Sequence, residues 1–222
     1  ASMGHLALHT RLLQRRAIYQ ACMFGAFSLF WTAAPLELVR NHGLSQTQIA
    51  IFALVGAIGA IAAPIAGRLA DAGHTRVASL LALLFASLSF LPAFIHPAYS
   101  VIGLAVTGVV LDFCVQMNMV LGQRAIYALD ANSRSRLNAL YMTSIFIGGA
   151  FGKLFCGYLG VRIGMMKTVW LTETSTALLI VAAVYLPLSG LMVMLPVLGR
   201  NFWSEEDNDK HWANFPAGKE AD

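Results

Sequence analysis

Charge is what this sequence has least of. Only 12% of its 222 residues are Asp, Glu, Lys or Arg, 58% are apolar, and the mean hydropathy is +0.66. A soluble domain carries about 25% charged residues because its surface must be solvated by water. With half that share, the exterior of this chain must be lipid. Cysteine is scarce as well. Cys22, Cys114 and Cys156 each fall in an apolar stretch, at no metal-like spacing, so a disulfide framework and a zinc site are excluded and the three read as small packing residues. Motifs for nucleotide or acyl chemistry are missing: there is no P-loop, dinucleotide fingerprint, nucleophile elbow or His-Glu-x-x-His. The chain is therefore expected to be no enzyme and to use no cofactor. Residues 1–16 do not read as a signal peptide, being polar and basic with no apolar core or cleavage site.

Apolar runs fill the rest. A bilayer-crossing helix needs about 20 largely apolar residues. The spacing predicts six spans, at 17–39, 45–69, 77–95, 101–122, 137–159 and 169–198, with Ser45 and Gln48 as a capping box opening the second. The expected organisation is a cytoplasmic segment 1–16, a six-helix membrane domain 17–198, and a polar acidic tail 199–222. The sixth span is long enough to need a tilt or a kink near Pro187.

The 15 basic residues outnumber the 11 acidic ones, but they lie in short loops, where membrane topology accounts for them and nucleic acid is not needed. One side of the chain collects Arg11, Arg15, Arg16, Arg68, Arg76, Arg124, Arg134 and Arg136. The other collects Arg40, Arg162 and Lys167. The positive-inside rule then places both termini in the cytoplasm.

Ionisable groups inside a bilayer are costly and functional by default. Asp112 lies midway along the fourth span, with Gln116 a turn on and Asn118 beyond. They read as a polar stripe, either a cavity lining that binds a solute or a proton, or a carboxylate satisfied by neighbouring helices. Lys153 is placed to pair with Asp112 or to snorkel. Glu37 and Glu173 lie near span ends, within reach of interfacial water. His5 and His9 share a helix face but have no third ligand nearby, so no metal is expected. Gly148, Gly149 and Gly152, with Gly56, Gly59 and Ala63 in the second span, give small faces for close helix packing.

The segment from Gly67 through Asp71 to Arg76, between the second and third spans, resembles the signature loop of the major facilitator superfamily, usually written G-x-x-x-D-R-x-G-R-R. Gly67, Asp71 and Arg76 match, whereas Ala72 stands at a usually basic position and Gly73 arrives one residue early. Residues 27–36, 43–46, 134–143 and 148–152 look like the second six-helix half of bacterial drug-efflux-like members. The resemblance covers residues 15–159, and nothing from 161 onward extends it. It implies an all-α half with a 3+3 inverted repeat, and a charge network in which Asp71 and Arg76 latch the cytoplasmic side.

One half alone cannot enclose a solute. The expected function is a half-sized secondary transporter in the bacterial inner membrane, exporting a small solute against proton entry. Two copies would pair through the Gly-rich faces, unless the chain is a piece of a longer protein. The rival reading is a non-transporting membrane subunit of a larger complex, docked through its last helix and tail.

Overall fold

The computed structural model of the chain describes residues 3–90 and 101–165. The sixth span, Glu173 and the tail lie outside the described residues. All regular elements among the described residues are helices: α1 (Met3–His9), α2 (Arg11–His42), α3 (Gln46–Ala53), a 3-10 helix (Leu54–Ile61), α4 (Ala62–Asp71), α5 (Thr75–Leu88), α6 (Val101–Tyr127), a short 3-10 turn (Ala131–Ser133) and α7 (Arg134–Met165). Among the described residues, three stretches are long and apolar enough to cross a bilayer: Arg11–Val39, Gln46–Asp71 and Val101–Tyr127.

The boundaries follow local chemistry. The first span is longer than expected because α2 absorbs the basic run Arg11, Arg15 and Arg16. Pro35 sits inside it. The helix ends where Gly43 takes the left-handed conformation (φ 62°), which turns the chain so that the Leu44 N–H reaches the Leu38 carbonyl at 3.1 Å and satisfies one carbonyl of the last turn. Ser45 and Gln48 form the expected capping box: the Ser45 N–H donates to Gln48 Oε1 at 2.8 Å and the Gln48 N–H to Ser45 Oγ at 3.4 Å. The second span departs from a single α-helix. Its middle, Leu54–Ile61, is 3-10, and this is the stretch that carries Gly56 and Gly59.

Packing partners fix the helix directions. Trp31 meets Asp112 while Gln20 meets Val115 and Asn118, so α2 and α6 are antiparallel. Gly59 abuts Asp112 and Gly67 abuts Arg124, so the second span runs parallel to α6. Gly148 and Gly152 meet Ala21 and Gly25 in turn, so α7 runs parallel to α2. The starts of α2, α5 and α7 and the ends of α4 and α6 thus share one end, which carries Arg16, Arg124 and Arg134.

Helix α6 is the central element, touching α2, the second span, α5 and α7. The main core holds Met23, Phe30, Leu38, Leu83, Phe90 and Leu111. A second core at the basic end joins Leu6 of α1 to Leu13, Ile126, Leu137, Tyr141 and Ile145. Large apolar side chains cover the outside, among them Leu54, Ile102, Phe151 and Leu154 at 68–77% exposure. Lipid tails are as apolar as these side chains, so helix association rests on close contact and internal hydrogen bonds. At the α2–α7 contact, a Cβ on Gly148 would lie 2.7 Å from the Ala21 Cα, and one on Gly152 would lie 3.0 Å from the Gly25 Cα. The Gly-rich face expected to pair two copies is therefore occupied within one chain, by α2.

Candidate functional site

Asp112 lies eleven residues after Val101 and twelve before Arg124, or about 16 Å and 18 Å along a helix of 1.5 Å rise. A hydrocarbon core is about 30 Å thick, so Asp112 sits at its midplane. It is 9% exposed. Its Oδ1 accepts a hydrogen bond from Trp31 Nε1 at 3.0 Å. The second span closes over the other side: a Cβ on Gly59 would stand 2.7 Å from Asp112 Cβ, and one on Gly56 would strike Asp112 Oδ2. Only glycine at both positions lets the 3-10 stretch lie against the carboxylate. The Trp31 indole is in turn wedged among Phe27, Phe30 and Phe52, at ring-centre distances of 6.4, 5.5 and 6.0 Å, which fixes the direction of its N–H.

No Lys or Arg among the described residues pairs with Asp112. Lys153 is exposed on α7. Tyr141 of α7 abuts Gly122 of the antiparallel α6, so Lys153, twelve residues past Tyr141, is about level with Asp112, ten residues before Gly122, but on the outer side of the bundle.

The three polar residues expected to form one stripe on α6 are divided. Asn118 is six residues from Asp112, which at 100° per residue turns it well off the Asp112 face. It is 1% exposed and donates from Nδ2 to Gln20 Oε1 at 2.8 Å, while Gln20 Nε2 donates to the Val115 carbonyl at 3.2 Å. Gln116 is half-buried between them in sequence and joins neither contact. Asp112 and Asn118 thus both hold α6 to α2, at two levels.

At the basic end the Asp71 carboxylate is bonded by Arg124 at the end of α6, while Arg76, expected with Asp71 in the charge network, is exposed on the first turn of α5. Arg124 also donates to the Gly67 carbonyl at 3.3 Å, and a Cβ on Gly67 would stand 3.3 Å from its Nη2. Gly67 and Asp71, four residues apart on one helix face, thus form a seat for one guanidinium. Beside it, Arg16, 2% exposed, donates to Ser79 Oγ at 2.5 Å and ties α2 to α5.

Two further expectations meet the structure. Glu37 is 1% exposed, so it faces the bundle and not interfacial water. His5 and His9 stack at a ring-centre distance of 4.3 Å, with no cluster of three metal-ligating side chains among the described residues.

Polar groups turned inward, apolar ones outward and a carboxylate at mid-membrane define a membrane-embedded protein of several spanning helices. The chain belongs to the Major Facilitator Superfamily, which matches residues 17–214. The match runs past residue 159, where the motif resemblance stopped, through the sixth span and into the tail. Over 154 residues the chain is 36% identical to the uncharacterized transporter YgaY of Escherichia coli O157:H7, covering 69% of this chain and 39% of that protein. It is 28% identical over 147 residues to the protein named "Probable transporter SCO4007" of Streptomyces coelicolor, covering 65% of this chain and 34% of that one. The chain thus spans about two fifths or less of the relatives it matches. No solved structure matches it.

Proposed function

We propose that this chain supplies one six-helix half of a secondary transporter that works by alternating access, exporting a small solute against proton entry across a bacterial inner membrane, with both termini cytoplasmic. The observation that carries the reading is Asp112: a carboxylate at the midplane, given one indole N–H and no cation among the described residues. A charge there is costly unless it is used. Asp112 is the coupling carboxylate and the half-buried Gln116 lines the solute path, while Asn118 acts through Gln20 to fix the α2–α6 contact. The Gly67–Asp71–Arg124 seat is the cytoplasmic latch, since one exposed ion pair of modest strength suits two packings that differ by a few kcal/mol. The relatives named transporters support the activity. A second copy of the chain supplies the other half, meeting this one on a face other than Gly148–Gly152.

The test is proton entry into proteoliposomes loaded with a pH-sensitive dye, recorded while candidate solutes are added under an imposed pH gradient. Solute-dependent flux that disappears in Asp112→Asn, with the variant still folded, is the expected result. Undiminished flux in that variant refutes the assignment of Asp112. Recovery of the native particle with a fixed set of other polypeptides, and no flux, would instead favour the non-transporting subunit.

A further inference from the structure

An open cleft of about 480 Å³ lies at the basic end, lined by Asp71, Thr75, Arg124, Tyr127 and Arg134 among others. Arg124 commits Nη1 to Asp71 and Gly67, which leaves Nε and Nη2 without a hydrogen bond among the described residues. Arg134 commits Nε to the Tyr127 carbonyl at 3.1 Å, which leaves both of its terminal nitrogens without a hydrogen bond among the described residues. Two guanidinium groups with spare donors therefore share one cleft with a phenol and a threonine hydroxyl, against a single carboxylate. Guanidinium forks match the oxygens of a phosphate.

Depth selects the source of that phosphate. Arg124 lies about 18 Å along α6 from the midplane at Asp112, and half a hydrocarbon core is about 15 Å. The cleft is thus level with the headgroup layer, where an aromatic such as Tyr127 also belongs. We propose that this cleft binds the phosphate of an anionic lipid headgroup between Arg124 and Arg134. Asp71 competes with that phosphate for Arg124, so the lipid draws Arg124 away from α4. The inference needs only that α6 spans the bilayer and stands whether or not the chain transports.

The experiment is native mass spectrometry of the full chain, extracted from vesicles of phosphatidylcholine with and without phosphatidylglycerol, counting lipids that survive activation. Phosphatidylglycerol should be retained in preference to phosphatidylcholine. Arg134→Gln, at an exposed residue with one backbone bond, should weaken retention about fivefold, the effect of one arginine near an anionic surface. Asp71→Asn should strengthen it by removing the competitor. Equal retention in wild type, Arg134→Gln and Asp71→Asn overturns the proposal, as does the absence of any preference for phosphatidylglycerol. Inorganic phosphate is the second arm. Release of the lipid by phosphate, but not by chloride at matched ionic strength, would assign the cleft to a soluble phosphate instead.

Discussion

Adding one methyl group at residue 148 tests how this bundle is held together. In Gly148→Ala the new Cβ would stand 2.6 Å from the Ala21 carbonyl carbon and 2.7 Å from its Cα. Ordinary van der Waals contact begins near 3.4 Å and the Ala21 carbonyl oxygen is closer still, so α7 must move off α2 by more than about 0.8 Å. Backbone cannot rotate aside as a side chain can. Well-packed contacts charge about 1–3 kcal/mol for such overpacking, and Gly148→Ala belongs at the upper end. Gly149→Ala meets the Phe24 ring at 2.8 Å and Ser28 Oγ at 3.0 Å, groups that can shift, so its cost should be smaller. Gly4→Ala meets nothing within 4 Å and should cost close to nothing. The assay is thermal unfolding of the purified variants in one detergent, with the mass of each particle measured alongside. The expected order is 148 worst, 149 intermediate and 4 unchanged, at constant oligomeric state. Equal midpoints for Gly148→Ala and Gly4→Ala would refute the close α2–α7 contact. Loss of a dimer with the monomer's stability intact would mean that the glycine face serves a second copy after all.

Three other perturbations probe separate contacts. Asp71→Asn and Arg124→Gln should each destabilise the chain by no more than about 1 kcal/mol, because the pair is 70% and 46% exposed; a double-mutant cycle by unfolding in detergent should show coupling, and additive effects would remove the pair from the latch. The buried Gln20–Asn118 bond should couple by about 0.6 kcal/mol, the mean for hydrogen bonds between membrane helices, in a cycle of Gln20→Ala and Asn118→Ala; zero coupling would break that link between α2 and α6. A single cysteine at exposed His74, in a variant lacking Cys22, Cys114 and Cys156, should react with an impermeant maleimide only from the cytoplasmic side. Labelling from outside intact cells would invert the topology.

The first, second and fourth spans were legible because twenty apolar residues in a row leave the backbone one way to satisfy its hydrogen bonds in lipid, and the capping box at Ser45 was legible because its chemistry is local. The α2–α7 packing could be read as glycine at 148 and 152, but not which helix it meets, since small residues give close approach without naming a partner. Asp112 was found by its cost in the membrane. Its hydrogen-bond donor Trp31 lies 81 residues away and reads locally as one more aromatic in an apolar run. Arg124 as a partner of Asp71 was missed for a related reason: it lies outside the signature loop, 53 residues on, and comes within reach only because the second span and α6 run parallel. The 3-10 stretch gave no signal, because its glycines also suit an α-helix.

That stretch sets how long the second span is. A 3-10 helix rises about 2.0 Å per residue and an α-helix about 1.5 Å, so eight residues from Leu54 to Ile61 make the span roughly 4 Å longer than a uniform α-helix. Rewinding them would draw Asp71 toward the midplane by that amount, and the Arg124 side chain would have to re-extend to keep its bond. The stretch lies against Asp112 and ends ten residues before Asp71. The second span therefore carries its drawn-out section against the mid-membrane carboxylate and the ion pair at its tip.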